Sequence, residues 1–199
     1  QSADDVYNSA LLEPNDTTGY GRVNAFKALL RAPGLKVVQS GINLHIRKHI
    51  YDAHSPYLLV DGLSVQYGAT LTIEHGARIT FGPNAYIEVN GWLLVEGIEG
   101  DSVRFVPAPG VLQWEGIHIY GGRAIISHAV FDGALLPVFV QPSPIYSSGL
   151  VLTDSRIKGG QTGIQVWGPA PGDPPFNFAH TIERVTVHDI PNLDTYAGL

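Results

Sequence analysis

The stretch Gly68-Ala69-Thr70-Leu71-Thr72-Ile73-Glu74-His75-Gly76-Ala77-Arg78-Ile79-Thr80-Phe81-Gly82 decides the fold of this 199-residue chain. It contains two short runs, residues 71–73 and 79–81, in which apolar and polar side chains alternate and after which a glycine soon follows. Alternation of this kind is typical of a β-strand with one buried face, and glycine permits the turn that ends it. The stretch therefore predicts two short strands about eight residues apart.

The same alternation of apolar and polar side chains continues on both sides of this stretch. Further alternating runs are residues 63–65, 87–89, 93–95, 103–105 and 117–119. A longer period overlies them, because Leu71 and Leu93 are 22 residues apart, and both Leu93 to Ile117 and Ile79 to Val103 are intervals of 24 residues. Repeats of roughly 20 to 30 residues indicate stacked coils, each of which needs its neighbours to bury its apolar face.

A second repeat occupies the later part of the chain. An apolar-x-x-small-x-apolar pattern recurs at offsets of 26 and 30 residues, in the copies Ile126/Ala129/Phe131, Leu152/Ser155/Ile157 and Ile182/Val185/Val187. In the last copy the larger Val185 fills the small position. Residues 116–119 likewise recur as residues 163–166. We interpret residues 106–113 and 134–148 as insertions at one corner of the coils and residues 168–180 as an insertion at another. Insertions in repeat folds are where binding surfaces are often built.

Composition excludes several functions. The formal net charge of −6 argues against a broad basic face for nucleic acid, which needs clustered lysine and arginine. The chain has no cysteine, so it has no disulfide and no thiolate ligand or nucleophile. No apolar run reaches the roughly 18 residues that a membrane-spanning helix requires.

The N-terminal part of the chain has a different pattern. Residues 22–32 carry apolar side chains at helical spacing, and Pro33 and Gly34 follow them, which predicts one amphipathic α-helix. We therefore divide the chain into a helical segment at residues 1–34, a connecting segment with a first strand at residues 35–56, and stacked coils at residues 57–199.

Residues 57–62, 68–82 and 114–119 resemble the coils of pectate-lyase-like right-handed parallel β-helix proteins. This resemblance implies an all-β fold, a right-handed parallel β-helix or solenoid preceded by the N-terminal amphipathic α-helix. It implies little about activity, because one fold carries many functions.

Residues 2–7 and 19–30 resemble the end of a subtilisin-like serine protease domain, whose last helix follows a Gly-x-Gly-Arg-Val-Asn-Ala turn. In that family the nucleophile lies in a Gly-Thr-Ser-Met-Ala type motif upstream, and this chain contains no such motif. The resemblance implies that residues 1–34 are a protease remnant without catalytic residues. A plain helical cap over the β-helix end is the alternative, since covering exposed strand edges with a helix is common.

Charged side chains and histidines are the candidate metal ligands of this chain. β-Helix lyases, in the resemblance, use clustered carboxylates to hold calcium, and Glu88, Glu96, Asp101 and Glu115 fall in or near turns. Their sequence spacing predicts solvated surface charges rather than converging ligands. His45 and His49 have helical zinc-site spacing, but the alternation around them predicts a strand, on which they lie about 13 Å apart. We predict neither metal nor other cofactor, with calcium as the one alternative.

Aromatic side chains offer the most specific candidate site. Trp114, Phe139 and Tyr146 lie in or beside the two insertions that we place at one corner, where rings would suit stacking on sugar faces. Burial in the core or under loops is the alternative for these rings. We expect Trp167, Phe176 and Phe178 to pack the proline-rich loop at residues 168–180.

Three function classes remain at this stage. The first is a non-catalytic accessory region of a secreted, extracellular or cell-surface subtilisin-like protease, acting as a spacer or recognising a substrate or surface component. The second is a polysaccharide-binding or polysaccharide-degrading β-helix. The third is a structural module that associates end to end, because no capping helix follows the last predicted strand; continuation of the chain in a longer protein is the alternative explanation for that uncovered end. None of these predicts a nucleic-acid partner.

Overall fold

The computed structural model describes residues 36–38, 42–44, 48–50, 55–141, 143, 148–168 and 180–190. Within these residues the chain forms strands and turns and contains no helix. The strands are β1 (Lys36–Val38), β2 (Ile42–Leu44), β3 (Lys48–Ile50), β4 (Tyr57–Leu59), β5 (Leu63–Val65), β6 (Thr70–Glu74), β7 (Arg78–Phe81), β8 (Tyr86–Val89), β9 (Trp92–Glu96), β10 (Val103–Pro107), β11 (Trp114–Tyr120), β12 (Arg123–Ser127), β13 (Ala129–Asp132), β14 (Ala134–Gln141), β15 (Gly149–Thr153), β16 (Arg156–Lys158), β17 (Ile164–Val166), β18 (Thr181–Glu183) and β19 (Thr186–His188).

Every third strand belongs to the same sheet. The first sheet has the order β1-β4-β7-β10-β13-β16-β19, the second β2-β5-β8-β11-β14-β17 and the third β3-β6-β9-β12-β15-β18. All of the pairings within these sheets are parallel, as in β4 with β7 and β9 with β12. Each coil therefore contributes one strand to each sheet, which confirms the prediction of a parallel β-helix. Because β1, β2 and β3 already pair within these sheets, the stack extends N-terminally of residue 57.

The core consists of apolar ladders that run from coil to coil. Ile73, Val95, Ile126 and Leu152 occupy one register position of the third sheet, and each is at most 1% exposed. Burying an aliphatic side chain of this size contributes about 1.5–3 kcal/mol relative to leaving it in water. The predicted match of Ile126 to Leu152 and of Leu152 to Ile182 is confirmed.

Two of the early ladders differ from the predicted pairing. Leu71 does pair with Leu93, but Leu93 lies in the third sheet opposite Ala124, whereas Ile117 lies in the second sheet opposite Ile87. The prediction that Leu93 and Ile117 share a ladder was therefore wrong. Ile79 likewise faces Phe105 rather than Val103. Equal spacing misled the prediction because coils differ in length, so a constant period mixes positions from different sheets.

The predicted insertion at residues 134–148 is also incorrect over most of its length. Residues 134–141 form β14, in which Ala134, Val138 and Val140 are buried in the core. The pairing shifts next to this strand: Gly116 faces Leu136 but Ile117 faces Val138, so Pro137 occupies a β-bulge. Proline is tolerated at bulges because no ladder hydrogen bond is needed there, and the extra residue hid the alternation of the strand.

The insertions do not leave the stack at the predicted corners. Residues 108–113 join β10 of the first sheet to β11 of the second, whereas the connection after β14 joins the second sheet to the third. The connection between β17 and β18 also joins the second sheet to the third. The two later connections therefore share a corner, and residues 108–113 lie at a different one. The predicted helix at residues 22–32 lies outside the described residues.

One corner uses the same turn in successive coils. His128, Asp154 and Arg184 follow β12, β15 and β18, and all three have a positive φ, between 47° and 51°. A φ of this kind is uncommon for residues other than glycine, and its recurrence after β12, β15 and β18 shows that successive coils turn in the same way at this corner. Arg184 donates hydrogen bonds from both Nε and Nη2 to the carboxylate of Asp154, which joins two of these turns on the surface.

Candidate functional site

The outer face of the second sheet carries a continuous row of planar side chains. Tyr86, His118 and Phe139 project from β8, β11 and β14, and Trp167 directly follows β17. These four residues lie in or directly after four neighbouring strands, and we call them the aromatic row. Tyr86, His118 and Phe139 are half-buried, whereas Trp167 is 53% exposed.

The members of the aromatic row contact one another in sequence. The rings of Tyr86 and His118 are stacked, with centroids 5.9 Å apart and an angle of 10° between their planes. His118 and Phe139 meet edge to face at 5.9 Å, and Phe139 and Trp167 meet edge to face at 5.0 Å. Both arrangements are favourable for π-systems, so each ring fixes the orientation of the next. The row spans three strand intervals, or about 14 Å along the stack.

Backbone packing holds the first ring of the row in place. A side chain at Gly62 would overlap the ring of Tyr86, so Tyr86 lies directly against the backbone there. On the next strand Gly116, which pairs with Tyr86, has a φ of 133° and adjoins the bulge at Pro137. The sequence thus keeps two glycines beside Tyr86, and the sheet under it is shaped by a bulge that re-aims the strand.

A polar cluster lies beside the aromatic row. Ser64 Oγ donates a hydrogen bond of 2.9 Å to Glu88 Oε1, and Asn90 Nδ2 donates one of 2.6 Å to the same oxygen. Gln66 Nε2 in turn donates to Ser64 Oγ at 2.7 Å. Glu88 pairs in register with His118, so the cluster adjoins the row. Glu88 Oε2 has no hydrogen bond to a described residue and can accept one from a ligand.

His118 is kept in its neutral form at neutral pH. Burial lowers the pKa of His118 below its ordinary value of 6.5, although the carboxylates of Glu115 and Glu88 oppose that shift. Desolvation disfavours the charged imidazolium and outweighs the two nearby negative charges. A neutral imidazole offers one hydrogen-bond donor and one acceptor as well as an apolar ring face.

Trp114 occupies the interior rather than the surface. It is 1% exposed, its ring stacks on Phe81 at 3.9 Å, and its indole Nε1 donates a hydrogen bond to the carbonyl oxygen of Asp132. Phe105 and Phe131 stack on each other at 5.1 Å beside this pair. Trp114 is therefore a core residue, the alternative that the sequence left open, and its ring offers no face to a ligand.

Of the other predicted aromatic residues, Phe139 is part of the row and Tyr146 lies outside the described residues. Trp167 contacts Phe139 at the end of the row, and most of the loop that it is predicted to pack lies outside the described residues. Phe176 and Phe178 lie outside the described residues. The structure thus brings Phe139 together with Tyr86, His118 and Trp167, none of which was selected from the sequence as a site residue.

The predicted charged residues lie on different parts of the surface. Glu88 and Glu115 belong to strands of the second sheet, and Glu96 ends β9 in the third sheet. Asp101 lies near a turn, where its Oδ2 is 2.7 Å from Nδ1 of His75. No group of three or more metal-ligating side chains is found among the described residues. His49 lies in a strand, β3, but residues 42–44 form a separate strand, β2, in another sheet, so the single strand predicted through both histidines is not found. His45 lies outside the described part of the chain.

Comparison with protein-family models, curated proteins and solved structures finds no match for this chain. Over the ranges that the structure covers, no helix has the length and apolar character that crossing a membrane requires. The structure by itself defines the fold class of this chain as a three-sheet parallel β-helix. The resemblances to pectate-lyase-like and subtilisin-like proteins stay predictions.

Proposed function

We propose that this chain is a polysaccharide-recognition module, and that the aromatic row on the second sheet is its binding site. The observation that carries the proposal is the unbroken contact of four planar side chains, from Tyr86 to Trp167, on the outside of the β-helix. Large apolar rings are normally buried, and Trp114 shows that the core of this chain accommodates them.

A row of rings on a flat sheet suits a sugar polymer. Sugar rings have faces of C–H groups that pack on aromatic side chains, and the hydroxyl groups around their edges need hydrogen-bond partners. The strands place the row along the axis of the stack, so the bound chain would lie across the strands. Because the rings are fixed by one another and by the sheet, little side-chain entropy is lost on binding.

The polar cluster supplies the hydrogen bonds that such a ligand needs. Glu88 is held by Ser64 and Asn90 with its second oxygen available, and the neutral ring of His118 lies next to it. Groups held in place before the ligand arrives give specificity at low entropic cost. Glu88 and Glu115 are both acidic, which favours a neutral sugar polymer over an acidic one at this face.

The link to a secreted protease is a separate part of the proposal. It is supported by the resemblance of residues 2–7 and 19–30 to the end of a subtilisin-like domain. In that setting the module would direct a protease to a polysaccharide-bearing surface outside the cell. The binding proposal depends only on the second sheet and stands without this link.

Affinity electrophoresis through gels that contain one neutral polysaccharide each tests the binding proposal. Suitable probes are a mixed-linkage β-glucan, a xylan and a galactomannan. We expect at least one of them to retard the unaltered chain, and we expect Trp167→Ala and Phe139→Ala each to weaken that binding by at least about tenfold, as for aromatic anchors in other binding sites.

Trp92→Ala is the matched control, because Trp92 is an exposed tryptophan on the third sheet, away from the row. It should bind like the unaltered chain. Loss of retardation in Trp92→Ala to the same extent as in Trp167→Ala, or no retardation of the unaltered chain by any of the three gels, would refute the proposal.

A further inference from the structure

A different face of the β-helix concentrates positive charge. Arg78, Arg104 and Arg156 occupy the same outward register position on β7, β10 and β16 of the first sheet, because Arg78 pairs with Arg104, Arg104 with Val130 and Val130 with Arg156. Lys158 lies two residues beyond Arg156 and therefore projects from the same face. We call these four residues the basic row.

The side chains of the basic row are exposed and have no acidic partner within the described residues. All four are exposed, and none of them forms an ion pair with a described carboxylate. By contrast, Arg184 elsewhere on the surface is paired with Asp154 and Glu183. In the described strands of the first sheet, Asp132 is the one acidic side chain. The described part of this chain, whose net charge is −6, thus carries a cationic strip on the first sheet.

The spacing of the basic row fits an extended anionic ligand. Neighbouring strands are about 4.8 Å apart, so Arg78 and Arg104 are adjacent and Arg156 lies two strands further, about 14 Å from Arg78 at the backbone. A small anion can bridge Arg78 and Arg104 but cannot reach Arg156. Contact with the whole row requires a linear polyanion that runs along the axis of the stack.

We propose that the basic row binds a sulfated polysaccharide, at a site separate from the aromatic row. Guanidinium groups form paired hydrogen bonds with oxyanions, and a sulfate group has three oxygens that the forks of Arg78 and Arg104 can share. A carboxylate has only two oxygens, which one arginine already satisfies.

Two observations set nucleic acid aside as the ligand of this face. The cationic strip is one side chain wide along most of its length, whereas a duplex is bound through lysine and arginine clustered over a broad face. Single-stranded nucleic acid is usually held by stacking on aromatic side chains, and the described strands of the first sheet present no Phe, Tyr or Trp at the outward positions of the basic row.

Equilibrium binding of the full chain to dextran sulfate, measured by fluorescence anisotropy of labelled polymer, tests this inference. Unsulfated dextran, polygalacturonate and a single-stranded oligonucleotide are the comparison probes. We expect binding to dextran sulfate that weakens with added salt, no binding to dextran, and weaker binding to the other two polyanions. Arg78→Gln/Arg104→Gln should weaken dextran sulfate binding by at least about tenfold.

Arg123→Gln/Arg184→Gln is the matched control, because it removes two arginines from outside the first sheet. It should change binding by less than about threefold. Arg156→Gln/Lys158→Gln provides a second test at the other end of the row if the first variant does not fold. Equal losses in the control and the row variants, or an oligonucleotide that binds as tightly as dextran sulfate, would overturn the inference. Trp167→Ala should leave this binding unchanged, which separates it from the proposed function.

Discussion

The rings of Trp114 and Phe81 are stacked inside the β-helix, with centroids 3.9 Å apart and an angle of 12° between their planes. Trp114 is thus held by an aromatic neighbour and by the hydrogen bond from its indole nitrogen to Asp132. Trp167, in contrast, is 53% exposed at the end of the aromatic row. Two tryptophans of the same chain therefore have opposite roles, and substitution separates them.

We expect Trp114→Ala to lower the free energy of unfolding by about 3–5 kcal/mol, because it leaves a large cavity among Phe81, Phe105 and Phe131. Trp167→Ala should lower it by less than about 1 kcal/mol, because that ring keeps half of its surface in water. Urea denaturation followed by circular dichroism measures both values. Similar losses in the two variants would contradict the placement of these side chains.

The β-bulge between β11 and β14, which lies beside Gly116, provides a second test of the strand pairing. A side chain at Gly116 would overlap the carbonyl oxygen of Leu136 and would also require a φ of 133°. We expect Gly116→Ala to destabilise the chain by about 3 kcal/mol or more. Gly68→Ala is the control: its φ is also positive, at 79°, but nothing lies near the added carbon, so the cost should be about 1–2 kcal/mol. Equal thermal shifts for the two variants would argue against the β14 register.

The pKa of His118 predicts a pH dependence of stability. Because burial lowers that pKa below 6.5 in the folded chain, the unfolded chain takes up the proton first as the pH falls. The folded state therefore loses stability relative to the unfolded state as the pH falls from 6.5 toward the pKa of His118 in the folded chain. Above pH 6.5 His118 is neutral in both states, and this loss is absent. We expect His118→Gln to lose less stability than the unaltered chain between about pH 7.5 and about pH 5.5. Parallel loss in both proteins would mean that His118 is not desolvated.

The contact between Gly62 and Tyr86 predicts a change in binding with little change in stability. An added methyl group at Gly62 would overlap the Tyr86 ring, which is half-buried and can rotate outward. Gly62→Ala should therefore weaken polysaccharide binding severalfold while changing the free energy of unfolding by less than about 1 kcal/mol. Gly163→Ala serves as the control, since its added carbon meets only Val187 at 3.7 Å. Unchanged binding by Gly62→Ala would show that the orientation of Tyr86 does not matter.

The sequence predicts the fold well because the physics of a β-helix is local and repeated. Alternation at residues 71–73 and 79–81 gave two correct strands, and the offsets of Ile126, Leu152 and Ile182 gave a correct ladder. The predicted register was wrong where the coil length changes, because nothing in the sequence around Leu93 or Ile117 indicates the sheet to which each residue belongs. The sequence pattern did not predict β14, because the bulge at Pro137 interrupts the alternation on which strand prediction rests.

The candidate site was harder to predict than the fold. Tyr86, His118, Phe139 and Trp167 are far apart in the sequence and become neighbours only through the stacking of four coils. Trp114 and Phe139 look alike in the sequence, each beside an apolar run, yet one faces inward and the other outward. With the correct register, outward positions of β8, β11, β14 and β17 could have been compared directly. The missing signal was therefore the pairing between coils, which no local pattern contains.

The proposal of a polysaccharide site is tested most directly at Trp167 itself. In a Trp92→Phe background, Trp114 is buried and Trp167 is the one exposed tryptophan, so acrylamide quenching of fluorescence reports on Trp167. With a neutral polysaccharide that retards the chain in a gel, the account predicts that saturating polymer lowers the quenching of the exposed fluorescence, and that Trp167→Phe abolishes the effect. Quenching that is the same with and without bound polysaccharide would contradict the central claim, because the sugar chain would then lie elsewhere.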